Sequence, residues 1–275
     1  MSIIDFTLDI PYEKANLSAD GCKPTLKAFL VDVSNEIGTR NRPAIIICPG
    51  GGYEFLSDRE ADYVAMRYAA FGIHAFVLRY SICSKKYPTA LLEAAFAMKI
   101  VREHAKDWDI NPDNINICGF SAGGHLAASL AVNWNKPYVT EIVGSQDIHK
   151  PNGAVLSYPV ITSGKYRHDG SIINIIGENP TEAELCEVSL EKQVSDATPP
   201  VFIWHCADDG CVPVMNTIDF TKALSENQIP FECHIYPWGG HGGSLHDDVT
   251  SSYDGHINPV NAKWFDESVR WIKSK

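Results

Sequence analysis

Short runs of consecutive apolar residues alternate along this chain with longer segments whose apolar residues recur every third or fourth position. Residues 44–48, 74–78, 115–118, 153–157, 201–205 and 231–236 are short β-type runs. Several lack the alternation of a half-solvated strand, as expected where both faces of a sheet are covered. Residues 3–10 and 26–33 add two strands at the start. Between them, 59–71, 89–103, 122–132, 213–227 and 261–273 carry helical spacing. The first of these ends at Gly72, a residue suited to the left-handed position after a helix. Asn111-Pro112-Asp113 reads as a turn. The alternation predicts an α/β chain with a mostly parallel central sheet flanked by helices.

One segment interrupts the rhythm. Residues 158–200 contain no clear strand, and hold a helix predicted over 181–194, where Thr181 and Glu184 form a capping-box pair. An excursion of this length between consecutive strands is expected to be a small cap or insertion within a single domain spanning 1–275.

Composition narrows the function class. Apolar residues make up 45% and charged residues 21%, the balance of a globular chain with a substantial core. The formal net charge of −11 argues against nucleic acid or an anionic membrane surface as partner. Met1 to Ile10 has neither a basic stretch nor an apolar core of the export type, and no apolar run nears the roughly 20 residues of a membrane span. The expectation is a cytoplasmic protein. A homo-oligomer is left open. Of the eight cysteines, Cys48, Cys118 and Cys233 sit singly in β-type runs, as reduced core residues do. No CxxC pair occurs, and Cys206 with Cys211 alone is a poor metal signature. No metal or other cofactor is expected.

The chemistry is concentrated just past the predicted strands. Gly119-Phe120-Ser121-Ala122-Gly123 matches G-x-S-x-G, preceded by a strand and followed by an Ala-rich helix. That is the setting of a nucleophile elbow, whose tight turn demands small neighbours. Pro49-Gly50-Gly51-Gly52-Tyr53 follows another strand, and glycines let amides approach a developing oxyanion. Gly51 or Gly52 is the candidate for one oxyanion donor and Ala122 for the other. A phosphate-binding GxxxxGK[ST] loop is absent. Asp208 and Asp209 follow the strand 201–205, and either could orient a base; Asp209 is the candidate for that role and Asp208 for a supporting contact. His241, set among Gly239, Gly240, Gly242 and Gly243, has no apolar face to pack and is the candidate base, ahead of His125, His205, His246 and His256. Ser121, Asp209 and His241 follow the chain order of a hydrolase triad. Tyr53, Tyr80 and Tyr158, near strand ends, are candidate substrate-binding residues.

With these residues the chain resembles the small α/β-hydrolases related to bacterial acetyl esterases, including acetyl-xylan-esterase-like and hormone-sensitive-lipase-like enzymes. The resemblance runs from about residue 43 to 271. It is carried by PGGGY at 49–53, SDRE at 57–60, GFSAGGH at 119–125, WHCADDGCVP at 204–213 and GGHG at 239–242. In such families the acid falls four residues after the strand-end histidine, which implies Asp209. Ser57, Arg59 and Glu60 match a polar cluster that organises the loop above the site. The HGGG of many relatives reads Pro49-Gly50-Gly51-Gly52 here. The resemblance implies the α/β-hydrolase fold, no cofactor, and a serine esterase acting on small acyl esters, acetyl esters first, with O-acetylated sugars as candidate substrates. A peptidase or lipase on the same fold, and a non-catalytic binding protein, are the alternatives.

Overall fold

In the computed structural model, which describes residues 1–38, 40–82, 86–144 and 147–275, one eight-stranded sheet runs through the molecule. The strands are β1 (Ser2–Thr7), β2 (Thr25–Leu30), β3 (Arg42–Cys48), β4 (His74–Arg79), β5 (Ile110–Phe120), β6 (Gly153–Ser157), β7 (Val201–Cys206) and β8 (Phe231–Tyr236). Their spatial order is β1-β2-β4-β3-β5-β6-β7-β8. β1 and β2 pair antiparallel, β2 pairs antiparallel with β4, and every pairing from β4 to β8 is parallel.

Alternate residues explain why the central strands are apolar throughout. Ala44, Ile46 and Cys48 of β3 enter one core cluster, and Ile45 and Ile47 enter the other. The first layer is closed by α2 (Thr89–Glu103), α3 (Ala122–Asn133), α4 (Pro137–Val143) and α7 (Met215–Glu226). The second is closed by α1 (Asp62–Ala70) and α8 (Lys263–Lys273). Every residue of α3 is buried, so its Ala-rich, one-sided-free composition is a packing requirement.

Parallel strands end on the same edge of the sheet. β4 lies on one side of β3 and β5 on the other, so the chain reverses its winding between β3 and β5. At such a reversal the loops leaving the two strands diverge and open a crevice. The loops carrying Gly51 and Ser121 leave β3 and β5 at this point.

The elements differ from the sequence expectation in places. The strand of β5 starts earlier than expected and passes through Asn111-Pro112-Asp113, where the register jumps from Arg42 opposite Ile110 to Ala44 opposite Ile115. Asn111 Oδ1 accepts the Asp113 amide there, so local turn chemistry survives as an irregularity in the strand. The helix expected over 181–194 is shorter. Its capping box forms as expected, but α6 covers only Glu182–Glu187, followed by a 3₁₀ turn at Leu190–Lys192. Ser189 is buried there, and its hydroxyl bonds Glu191 and the Ser163 amide, which draws the chain out of helical geometry. Two further helices, α4 and α5 (Asp169–Ile176), are too short to show a clear period.

The second layer is anchored by stacked Trp204 and Trp264, both fully buried. The Trp204 indole donates to Ser157 Oγ at 2.8 Å. Trp204→Ala leaves a large cavity and should cost about 3–5 kcal/mol of stability. A urea unfolding midpoint that does not move would show that the layer collapses without loss.

Candidate active site

The turn after β5 is tightly constrained. Ser121 has φ 53° and ψ −120°, outside the regions non-glycine residues favour. Its amide donates to Ser157 O at 3.0 Å, and its carbonyl accepts the amides of Val160 and His125. A Cβ at Gly119 would lie 2.0 Å from Gly123 O, and one at Gly123 would lie 2.1 Å from Cys48 O. The elbow therefore packs backbone to backbone on the end of β3, which seats Ser121 beside the glycine loop.

Ser121 Oγ lies 2.8 Å from His241 Nε2, and His241 Nδ1 lies 2.7 Å from Asp209 Oδ2. These are hydrogen-bond distances in an unbroken chain. Asp209 is at the end of β7 with its carboxylate fully buried. Its Oδ1 accepts the amides of Cys211 and Val212, and its Oδ2 also faces His205 Nε2 at 3.1 Å. Burial alone would raise its pKa, but the bonds from His205 and His241 outweigh this and hold it well below the usual carboxylate value. Asp208 is exposed and accepts the amides of Gly239 and Gly240, tethering the start of the histidine loop. The structure thus separates two adjacent aspartates that composition alone could not.

The glycine loop is held from beneath. Glu60, buried, accepts the Gly50 amide on Oε2 at 2.8 Å and the Tyr158 hydroxyl on Oε1 at 2.6 Å. The Tyr158 oxygen in turn accepts the Ser244 amide at 2.9 Å. Arg59 donates to Gly242 O at 2.9 Å and to Thr250 O at 3.1 Å. Arg59 and Glu60 therefore join the loop after β3 to the loop carrying His241, and Ser57 closes the same turn through its amide to Gly50 O. Gly50 is committed, whereas the amides of Gly51 and Gly52 donate to nothing among the described residues. Ala122 opens α3, and its amide is among the helix's first four, which have no intrahelical acceptor.

A cleft of about 260 Å³ reaches these groups, lined by Gly51, Gly52, Phe55, Arg59, Ser121, His168, Cys211 and His241 among others. Tyr53, Tyr80 and Tyr158, expected to face substrate, are buried outside this lining. Their hydroxyls are needed inside the protein: Tyr53 meets His125 Nδ1 at 2.9 Å, Tyr80 donates to Pro49 O at 2.7 Å, and Tyr158 serves Glu60. Tyr158 also sets its ring edge on the His241 imidazole, with centroids 5.0 Å apart. A phenol at a strand end whose oxygen must be bonded when buried becomes part of the frame. Of the other histidines, His125 is fully enclosed, its pKa drawn down to about 4 by burial, and its Nε2 meets Val188 O. His205 braces Asp209 from Thr217, while His246 and His256 lie behind the histidine loop.

Glu54, Phe55, Cys211 and His168 are the cleft residues that pattern reading passed over. Nothing in their local sequence marks them, because they reach the cleft only through the folding of the 49–57 loop, the loop after β7 and the 158–200 excursion. That excursion contacts the glycine loop directly: Asn174 Nδ2 donates to Gly52 O at 2.8 Å. Among the described residues, the cysteines are free, no group of three or more His, Cys, Asp or Glu is placed to hold a metal ion, and no helix is long and apolar enough to cross a membrane.

Ser121, Asp209 and His241 thus stand past the ends of β5, β7 and β8 on one edge of the parallel sheet. The BD-FAE family model matches residues 32–224. The chain belongs to the BD-FAE family. Among curated proteins, it is 36% identical over 235 residues to an acetylxylan esterase of Xylanibacter ruminicola, covering 82% of this chain and 45% of that one. It is 39% identical over 226 residues to endo-1,4-beta-xylanase B of Butyrivibrio fibrisolvens, covering 78% of this chain and 34% of that one. This BD-FAE chain therefore spans less than half the length of either relative. Among solved structures it is similar to an acetyl ester-xyloside bifunctional hydrolase from Caldicellulosiruptor lactoaceticus, with a TM-score of 0.80 at 35% identity over 93% of this chain and 89% of that one. It is also similar to an α/β hydrolase from a Medee basin deep-sea metagenome, with a TM-score of 0.76 at 33% identity over 99% and 97% of the two chains. The fold is that of the α/β-hydrolases.

The depressed pKa of Asp209 has a signed consequence. Such a carboxylate contributes stability that is fully present above its unfolded pKa, about 3.9, and is lost as pH falls through the folded value. The stability gap between the wild type and Asp209→Asn should be widest near neutral pH and shrink below about pH 4. Chemical unfolding at a series of pH values measures this, and a gap independent of pH would contradict it.

Proposed function

We propose that this chain is a serine carboxylic-ester hydrolase acting on short acyl esters, acetyl above all, with O-acetylated sugars as the substrate class. The observation that carries the reading is the hydrogen-bonded chain from Ser121 through His241 to Asp209, facing a cleft beside unengaged backbone amides. Ser121 Oγ attacks the ester carbonyl as His241 Nε2 takes its proton. Asp209 keeps the proton of the imidazole on Nδ1 and stabilises the cation that forms. Negative charge on the carbonyl oxygen is met by the amides of Gly51 or Gly52 and of Ala122, reinforced by the N-terminal end of α3. His241 then protonates the leaving alkoxide, and water, activated by the same base, releases the acid from Ser121.

Short acyl groups are favoured by the size and lining of the cleft. Its volume of about 260 Å³ is below the ~300–1,000 Å³ of pockets that enclose drug-sized ligands. Beside Phe55 and the glycines, the cleft is lined by Glu54, Ser57, Arg59, Glu60 and His168. A fatty chain laid against it would desolvate those groups. The sugar half of the proposal draws on the names of the relatives, an acetylxylan esterase and an acetyl ester-xyloside hydrolase.

Ser121→Ala should lower ester kcat by roughly 10⁴- to 10⁶-fold with the fold retained, and fluorophosphonate should label the wild type and not the variant. Near-normal turnover by the variant would move the nucleophile elsewhere. Asp209→Asn should impair kcat far more than Asp208→Asn, since only Asp209 touches the imidazole. Equal losses in a direct kinetic comparison would count against that division of labour. Across p-nitrophenyl esters from acetyl to decanoyl, kcat/KM should peak at acetyl or propionyl; a lipase with an apolar channel would instead gain with each methylene, worth about 0.8 kcal/mol. A maximum at octanoyl or beyond would replace the acetyl reading.

A further inference from the structure

Two rings flank the free amides of the glycine loop, and neither takes part in the triad. Phe55 is 58% exposed although it lines the cleft. The loop returns so closely that a Cβ on Gly51 would lie 3.1 Å from Phe55 Cδ2. On the other side, a Cβ on Gly52 would lie 4.0 Å from His168 Cε1. His168 sits at the start of α5, where its Nδ1 accepts the Ser171 amide at 3.2 Å and meets Ser171 Oγ at 2.9 Å. With Nδ1 used as an acceptor, the neutral ring carries its hydrogen on Nε2, which has no partner among the described residues. Burial, then the nearby His241, lower the His168 pKa and keep the ring neutral.

We propose that Phe55 and His168 form the subsite for the alcohol half of the ester and that its occupant is a sugar ring, the phenyl face of Phe55 stacking on the apolar face of the ring and His168 Nε2–H donating to one of its oxygens. The proposal rests on the ester-hydrolase reading and deepens it. A pyranose presents apolar C–H faces and a rim of hydroxyl acceptors, which matches a flat apolar surface paired with a single fixed donor. A fatty alcohol would use Phe55 and leave the His168 N–H desolvated and unbonded. Asn174, which bonds Gly52 O from the same helix as the Ser171 clamp, holds α5 against the glycine loop and fixes the spacing of the two rings.

The test compares an O-acetylated methyl xyloside with ethyl acetate, each followed by acid release. The ratio of kcat/KM for the xyloside to that for ethyl acetate should fall about ten-fold in Phe55→Ala and again in His168→Ala, the size expected for one lost contact of this kind. His168→Gln, which can place an N–H near the same point, should recover much of the ratio. Phe55→Leu keeps the apolar bulk without the flat face and should lose selectivity as Phe55→Ala does, which guards against a folding defect. A ratio unchanged in these variants, or equal losses on both esters, would overturn the subsite. Failure of the wild type to cleave either ester, together with no fluorophosphonate labelling of Ser121, would overturn the hydrolase reading itself.

Discussion

The contact between the turn after β5 and the end of β3 governs the rest of the site. Gly123 lies so close to the carbonyl oxygens of Cys48 and Pro49 that no side chain fits between them. Gly119 is pressed in the same way on Gly123. This packing forces Ser121 into a left-handed conformation of a kind that costs of order 1–3 kcal/mol, and two bonds help to hold it there, from the Ser121 amide to Ser157 O and from the Val160 amide to Ser121 O. In return the hydroxyl projects from the sheet edge next to Gly51 and Gly52. Ser121 and the Gly51 and Gly52 amides are positioned by one backbone contact, so their placement does not depend on a flexible side chain.

Two buried carboxylates stabilise the loops around that contact, and each is satisfied in a different way. Asp209 receives two amides on one oxygen and two imidazole nitrogens near the other, so its charge is retained without water. Glu60 receives the Gly50 amide and the Tyr158 hydroxyl. One carboxylate holds the His241 imidazole, and the other ties the glycine loop to Tyr158, whose ring lies against the same imidazole. The loops after β3, β6 and β8 therefore meet through Glu60 and Tyr158, and a shift in one would be felt by the others.

The 158–200 excursion contributes in a third way. Its apolar residues Ile161, Ile172, Ile175, Val188 and Leu190 join the core, which anchors it despite its many charges. Of this segment His168 lines the cleft, beside the glycine loop. The excursion thus brings an imidazole to the cleft that Ser121 also lines.

The strands, the order of the motifs and the positions of Ser121, His241 and the glycine loop were legible in the sequence because each depends on local rules. Fully buried parallel strands are apolar throughout, a tight elbow needs glycine and alanine around the serine, and a histidine among glycines has nothing to pack on. Other features were decided by tertiary structure. The helix after Thr181 is cut short by the burial of Ser189 and Leu190, which its local propensity could not signal. Tyr53, Tyr80 and Tyr158 look like ligand contacts at strand ends, yet each is enclosed and bonded to a partner at least 31 residues away in the chain. Asp208 and Asp209 are neighbours of identical composition, and only the turn geometry after β7 sends one inward to His241 and the other outward to the Gly239 and Gly240 amides. Phe55 and His168 come together across more than a hundred residues of chain. Local sequence sets backbone conformation and the chemistry available at each loop; which side chains share a cleft depends on contacts between loops that only the assembled sheet brings to one edge.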